Sequence, residues 1–457
     1  MVTTERTREL LREAMTSSIP EVPSQFSDVE RRFVYVPGTH RRALEPNAML
    51  VVGARGAGKS FWWHALQVSS TRDEVLGQKT DVSVGFGEAP SPEWPNKDEL
   101  DQLLKAEQKP RLIWKTVVFC KLEPERSILA KEWPERVSWV TENPSAVARV
   151  LREFDQDLAS KGRSHLVLFD ALDRTADDHE QRTALLRGLL ELVLEFRPYA
   201  SLRAKVFVRP DMLSDPQVRT FTDASKVVAS AVRLDWRPVD LYALLFRYMG
   251  NADKSEAARA FRGLTGHASD IAGEWHVPAR LRDDEFEQQR VFTSLAGPYM
   301  GTNRRRGKTY TWVPNHLADA LQRVSPRSFL AAMRAASTHS APSTHPLHWK
   351  GLQEGVRVAS NYRVQEIEED LPWAHAAMEI LSDLVVPCAV SKITSAWRRG
   401  QLLEQGLRSA PQSLEEVLRE LKEMGIFARL PDGRINIPDV YRVGFRLRRK
   451  GGLKPQA

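Results

Sequence analysis

The run Gly53-Ala54-Arg55-Gly56-Ala57-Gly58-Lys59-Ser60 follows the apolar stretch Met49-Leu50-Val51-Val52 directly. No other feature of the 457 residues restricts the fold as much. A G-x-x-x-x-G-K-S spacing between a strand and a helix lets backbone N–H groups curl around phosphate oxygens, with the positive end of the helix dipole aimed at them. Gly53, Arg55, Gly56, Ala57, Gly58, Lys59, Ser60 and Phe61 are therefore the candidate nucleotide contacts. Lys59 is expected to reach the outer phosphates, and Ser60 to ligate Mg²⁺. Phe61, Trp62 and Trp63 read first as the helix face packed on the sheet, with base stacking as the alternative for that aromatic run.

Such a loop needs an apolar strand ending in an acid. Leu166-Val167-Leu168-Phe169-Asp170 supplies one, and Asp170 is the expected second Mg²⁺ residue. Ala171 stands next to it, so Asp173 is the candidate for polarising water; otherwise it is a helix N-cap or a partner of Arg174. Strand-like runs occur at Met49–Val52, Ile113–Cys120, His165–Phe169, Lys205–Val208 and Val227–Leu234, with helical stretches at Lys59–Gln67, Ser145–Ala159 and Gln181–Phe196. Alternating elements of this kind predict an α/β fold with a parallel sheet between helices. Residues 85–99, with three prolines, read as an excursion loop. A helix is expected from Thr4 to Met15, and from Asp240 onward the pattern turns helical. Ser325-Pro326 should open a helix. From Leu371, three helices followed by a turn at Pro431-Asp432-Gly433 have the winged-helix order. The expected segments are a lead-in at 1–45, a nucleotide domain at 46–240, a helical lid at 241–370 and a winged-helix module with a basic tail at 371–457.

Phe169-Asp170-Ala171-Leu172-Asp173-Arg174, with a small residue after the metal acid, resembles the STAND NTPases and their AAA+ relatives of the ORC/Cdc6 type. The loop itself is similar to that of KAP-type ATPases, which usually carry membrane helices that this chain lacks between the two motifs. The order of elements follows the resemblance over about residues 45–440, although only the two nucleotide motifs are specific. The resemblance implies a P-loop ATPase using ATP and Mg²⁺. Val206-Phe207-Val208-Arg209 looks like the STAND sensor arginine, and Ser325-Pro326-Arg327-Ser328 resembles the lid arginine of AAA+ proteins. Lys59, Asp170, Asp173, Arg209 and Arg327 are thus the expected catalytic set. The implied function is an ATP-driven switch that regulates a separately encoded protein partner, and the resemblance is compatible with a homo-oligomer. The alternative is an ATP-dependent DNA-binding initiator or transcription regulator.

Charge and composition narrow the partners. With 66 Lys+Arg against 59 Asp+Glu, the net +7 is diffuse, and two cysteines cannot build a disulfide framework. No apolar run is long enough to span a membrane, and the N-terminus lacks a secretion signal, so a cytoplasmic location is expected. Asn96-Lys97-Asp98-Glu99 departs from the guanine-reading N-K-x-D, and His339, His345 and His348 read as loop residues. The third winged-helix helix, Ser413 to Met424, carries Glu415, Glu416, Glu420 and Glu423 against Arg419 and Lys422, which opposes a DNA role. Two basic clusters remain as DNA-contact or acidic-partner candidates: Arg304, Arg305, Arg306 and Lys308, and the tail with Arg442, Arg446, Arg448, Arg449, Lys450 and Lys454.

Overall fold

A computed structural model describes residues 4–21, 30–122, 126–267, 273–407 and 411–449. The chain divides into two compact units. The nucleotide unit holds 27–31 and 36–235; the helical unit holds 1–26, 32–35 and 236–457.

In the nucleotide unit, β1 (Leu50–Val52), β2 (Thr80–Phe86), β3 (Ser164–Phe169), β4 (Leu202–Val208) and β5 (Val232–Arg233) form one sheet in the order β2-β3-β4-β1-β5. Every pairing is parallel, and Val51 lies opposite Phe207 on one side and Val232 on the other. Leu50, Val52, Val167, Phe169, Val206 and Val208 join a single core. Their alternates Val51, Leu166, Leu168 and Phe207 are buried too, so both faces are covered, as a parallel sheet requires.

Two expected strands are corrected. Residues Pro110–Cys120 form a helix, not a strand. Pro110 occupies the first helical turn, and Ile113, Trp114, Val117 and Val118 fall on one helical face, buried in the core. The missing strand is β2, whose Asp81, Ser83 and Gly85 break the apolar signal. Gly85 is needed there: a Cβ would stand 2.4 Å from the Phe169 ring. Within Val227–Leu234, the first residues belong to the helix Ala224–Ala229, and only Val232–Arg233 pair as strand. Asn96-Lys97-Asp98-Glu99 is a capping box. Asn96 Oδ1 accepts from Glu99 N at 3.0 Å and Glu99 accepts from Asn96 N at 2.7 Å, which opens the helix Lys97–Lys105.

In the helical unit, the helix Glu5–Thr16, capped by Thr4, packs on the helices Ser255–Thr265 and Pro326–Thr338. Ser325 caps the latter by accepting from Ser328 N, and this helix lies along Trp349–Asp370. Their crossing is close because Gly355 is bare: a Cβ there would meet the Ala332 carbonyl oxygen at 2.2 Å. His339 and His348 end and begin helices through backbone hydrogen bonds. The chain then runs through helices Pro372–Glu379, Val390–Arg399 and Leu414–Glu423 into an antiparallel pair, β6 (Ala428–Arg429) and β7 (Ile435–Asn436). One core runs from Leu11 to Leu447. Polar ties reinforce it: Ser360 Oγ donates to Val440 O at 2.7 Å, and Ala320 N donates to Gly425 O at 2.8 Å.

The expected basic tail is corrected in its described part. Arg442 is fully buried and donates to Asp439 at 2.7 Å; Arg449 reaches Asp439 at 3.1 Å and Arg448 pairs with Asp383. Arg442 is a structural residue, because a buried cation needs a hydrogen-bonded counter-charge. Lys450 and Lys454 lie outside the described residues. Among the described residues, no helix is long and apolar enough to cross a membrane.

Candidate functional site

β4 lies between β1 and β3, so the residues leaving three adjacent strands meet at one edge: Gly53 after β1, Asp170 after β3 and Arg209 after β4. Ligands of open parallel sheets bind at this carboxyl edge. Gly53 N donates to Val208 O at 3.1 Å, which pins the loop to β4. Gly56 and Gly58 have φ of +72° and +99°, a conformation that suits glycine. A Cβ on Gly53 would sit 2.9 Å from Lys59 Cγ. The helix Lys59–Ala65 begins immediately after the turn.

Inside the loop, Lys59 Nζ donates to Gly53 O at 2.9 Å and Ala54 O at 3.1 Å. Burial pulls its ammonium down to about 8, with Asp170 acting in the opposite direction. Asp170 is 4 % exposed. Burial pushes Asp170 up, and the Ser60 hydrogen bond and Lys59 only partly offset it. Ser60 and Asp170, the two expected metal residues, are neighbours at this edge, and both offer oxygen. That donor type suits Mg²⁺. No group of three or more His, Cys, Asp or Glu is placed to hold a metal among the described residues. A cation here would need phosphate and water oxygens to complete its shell, as Mg²⁺ does when it arrives with a nucleotide.

Ala171 follows Asp170 in the left-handed region at φ +55°, ψ +33°. For a residue with a Cβ this conformation costs about 1–2 kcal/mol. It turns the chain into a short 3₁₀ turn, Leu172–Arg174. Asp173 in that turn accepts from Arg209 Nη1 at 2.9 Å, while Arg174 pairs with Glu88 at 2.7 Å. Arg209 also lies 3.3 Å from Asp211, yet its buried Nε makes no hydrogen bond. Burial raises Asp173, but the Arg209, Arg55 and Lys59 charges outweigh it and hold the carboxyl below its ordinary value.

Arg182 is a neighbour the spacing did not suggest. It lies on the helix His179–Phe196, half-buried, within the fields of Arg209, Asp173, Asp178 and Asp211. Burial lowers it, and Arg209 adds to that shift. Nothing in an arginine in the first turn of this helix marks it out; only the fold brings it to the edge. Phe61 is half-buried and edge-on to Trp62, with ring centres 5.2 Å apart. Trp62 is fully buried and donates to His40 Nδ1 at 3.1 Å. Arg327 belongs to the helical unit, where it donates to Glu366 at 2.9 Å.

No family model matches the chain, and no curated protein matches it in sequence. Solved structures with a similar course include a Walker-type ATPase of Pyrococcus abyssi, at 15% identity and TM-score 0.42 over 92% of this chain and 99% of that one. An ORC1 protein of Aeropyrum pernix, solved in complex with DNA, is similar at 12% identity and TM-score 0.34 over 93% of each chain. The Cdc6p protein of Pyrobaculum aerophilum is similar at 11% identity and TM-score 0.29, covering 91% of this chain and 94% of that one.

Proposed function

We propose that this chain is an ATP-binding and slowly hydrolysing switch, in which occupancy of the Gly53–Ser60 loop governs what the helical unit offers to a protein partner. The observation that carries this reading is the glycine loop after β1, closed by Lys59 on the Gly53 and Ala54 carbonyls and set at the same sheet edge as the buried Asp170. Ionising a carboxylate buried this deeply is costly unless a cation arrives. Mg²⁺ held by Ser60 and Asp170 would neutralise charge on the phosphate oxygens.

The residues of the chain then have distinct tasks. Lys59 exchanges the Gly53 and Ala54 carbonyls for phosphate oxygens, a stronger, charge-assisted pairing. Arg209 exchanges Asp173 for the terminal phosphate, with Arg182 alongside. Until that exchange Asp173 holds the Arg209 guanidinium in position. Arg327 must leave Glu366 if it is to read nucleotide. The lid at 241–370 and the winged-helix module at 371–457 share one core, so in this proposal they respond as one piece. The partner is a separate chain or a second copy.

The decisive test is a double-mutant cycle. MgATP affinity is measured by calorimetry for the parent chain, Ser60→Ala, Asp170→Asn and the double variant. Residues sharing one cation give strongly non-additive losses. Additive losses, or no MgATP binding by the parent, would refute the reading.

A further inference from the structure

The loop at 298–309 is built as a rigid projection. Met300 N donates to Gly307 O at 2.9 Å, Thr309 N to Pro298 O at 3.2 Å, and Tyr299 bridges Lys308 in antiparallel fashion. Its base is fixed in the core of the helical unit: Tyr310 stacks on Tyr242 with ring centres 4.2 Å apart and donates to Gln288 at 2.8 Å. At the tip, Gly301 and Gly307 at φ +131° and +90° bracket a single 3₁₀ turn, Arg304–Arg306, which Asn303 caps by accepting from Arg305 N at 3.0 Å.

A 3₁₀ turn has three residues per revolution, so consecutive side chains leave about 120° apart. Arg304, Arg305 and Arg306 thus fan outward, all exposed, with Lys308 beside them, and none forms an ion pair among the described residues. Several other arginines of this unit are matched, as in Arg327–Glu366, Arg448–Asp383 and Arg290–Glu287. Four uncompensated cations on a stiff tip repel one another, and an external polyanion relieves that cost.

We infer that the 299–308 hairpin is a docking point for the phosphate backbone of duplex nucleic acid, read without regard to sequence. Guanidinium forks suit phosphate. Divergent arginines reach neighbouring phosphates instead of crowding one. The tip has no apolar anchor of the kind a protein interface centres on. Trp312, beside Gly307 at the base of the hairpin, is stacked on His316 at 3.9 Å, which occupies that face of the ring. This site is independent of the nucleotide reading and stands or falls without it.

The test uses the full chain and a short mixed-sequence duplex DNA, followed by fluorescence anisotropy as salt is varied. Four phosphate contacts give a log–log salt slope of about −3.6, a loss of about 100-fold between 50 and 200 mM salt. The variant Arg304→Gln/Arg305→Gln/Arg306→Gln should reduce the slope to about −0.9. A smaller pair, Arg304→Gln/Arg305→Gln, is compared with Arg398→Gln/Arg399→Gln, two exposed arginines ending another helix. Equal losses from the two pairs would mean a diffuse field and overturn the assignment. So would an unchanged slope in the triple variant. So, too, would hairpin-dependent binding of polyglutamate or anionic vesicles that duplex fails to compete. Circular dichroism and the thermal midpoint of the triple variant, expected to match the parent chain, report that its fold is intact.

Discussion

The nucleotide edge and the 299–308 hairpin both present cations, in opposite ways. At the edge, Arg209 is 14 % exposed in its side chain and faces Asp173 and Asp211, and Lys59 is closed on carbonyl oxygens. On the hairpin, Arg304, Arg305 and Arg306 stand in water with no carboxylate. The first arrangement holds each charge in place until a ligand displaces its partner; the second keeps its charges uncommitted. Compensated, buried cations suit a selective switch, because exchange of partners changes the structure. Uncompensated, exposed cations suit a contact governed by charge density and salt.

That contrast can be broken. The largest effect belongs to Lys59→Ala, expected to weaken MgATP by at least about 100-fold, or 2.7 kcal/mol, while duplex affinity stays at the parental value. Loss of both activities would mean that the two regions are not separable. Next comes Asp173→Asn. Releasing Arg209 from its carboxylate should tighten MgATP by about 5- to 10-fold and change ADP less, as calorimetry with both nucleotides would reveal. Equal shifts for the two would place Arg209 away from the terminal phosphate.

A smaller effect tests how the nucleotide unit tolerates buried charge. Lys205 on β4 is fully buried, and its Nζ donates to the carbonyls of Ala43, Glu45 and Ala48 at 2.8, 2.9 and 2.6 Å. Burial lowers it to about 7, with Glu45 acting in the opposite direction. Its folded value lies below the unfolded 10.5, so the protonated form disfavours folding. That cost is fully present below pH 7 and fades as pH rises toward 10.5. Unfolding free energy should therefore climb from pH 7 to 10 in the parent chain, and climb less in Lys205→Met. Smallest is Ala171→Gly, which removes the left-handed strain at the turn after Asp170. It should stabilise the chain by about 0.5–1 kcal/mol in denaturant titration, where Ala171→Val would destabilise it.

What could be read from residues alone was whatever is local. The glycine loop, the strand ending in Asp170 and the arginine after β4 each declare themselves within eight residues. β2 stayed hidden because an edge strand with Asp81, Ser83 and Gly85 lacks apolar continuity. Residues 113–118 misled because β-branched and aromatic side chains serve a buried helix face as well as a strand. The Asp173–Arg209 pair spans 36 positions, and the approach of Arg182 depends on how a helix lies on the sheet. Such proximities belong to the tertiary fold. Likewise, Arg442 reads as part of a basic tail until Asp439, three residues earlier, is seen buried with it.

The opening helix, Glu5–Thr16, finds its neighbours at Ser255–Thr265 and Pro326–Thr338. During synthesis at about 5–20 residues per second, those neighbours emerge roughly ten seconds to a minute after it. Throughout that interval its apolar side, Leu11, Ala14 and Met15, has nowhere native to go, while the intervening sheet can already assemble. A nascent chain of this design offers a sticky apolar helix to whatever holds unfinished polypeptides, and buries it only once the second half of the fold is made.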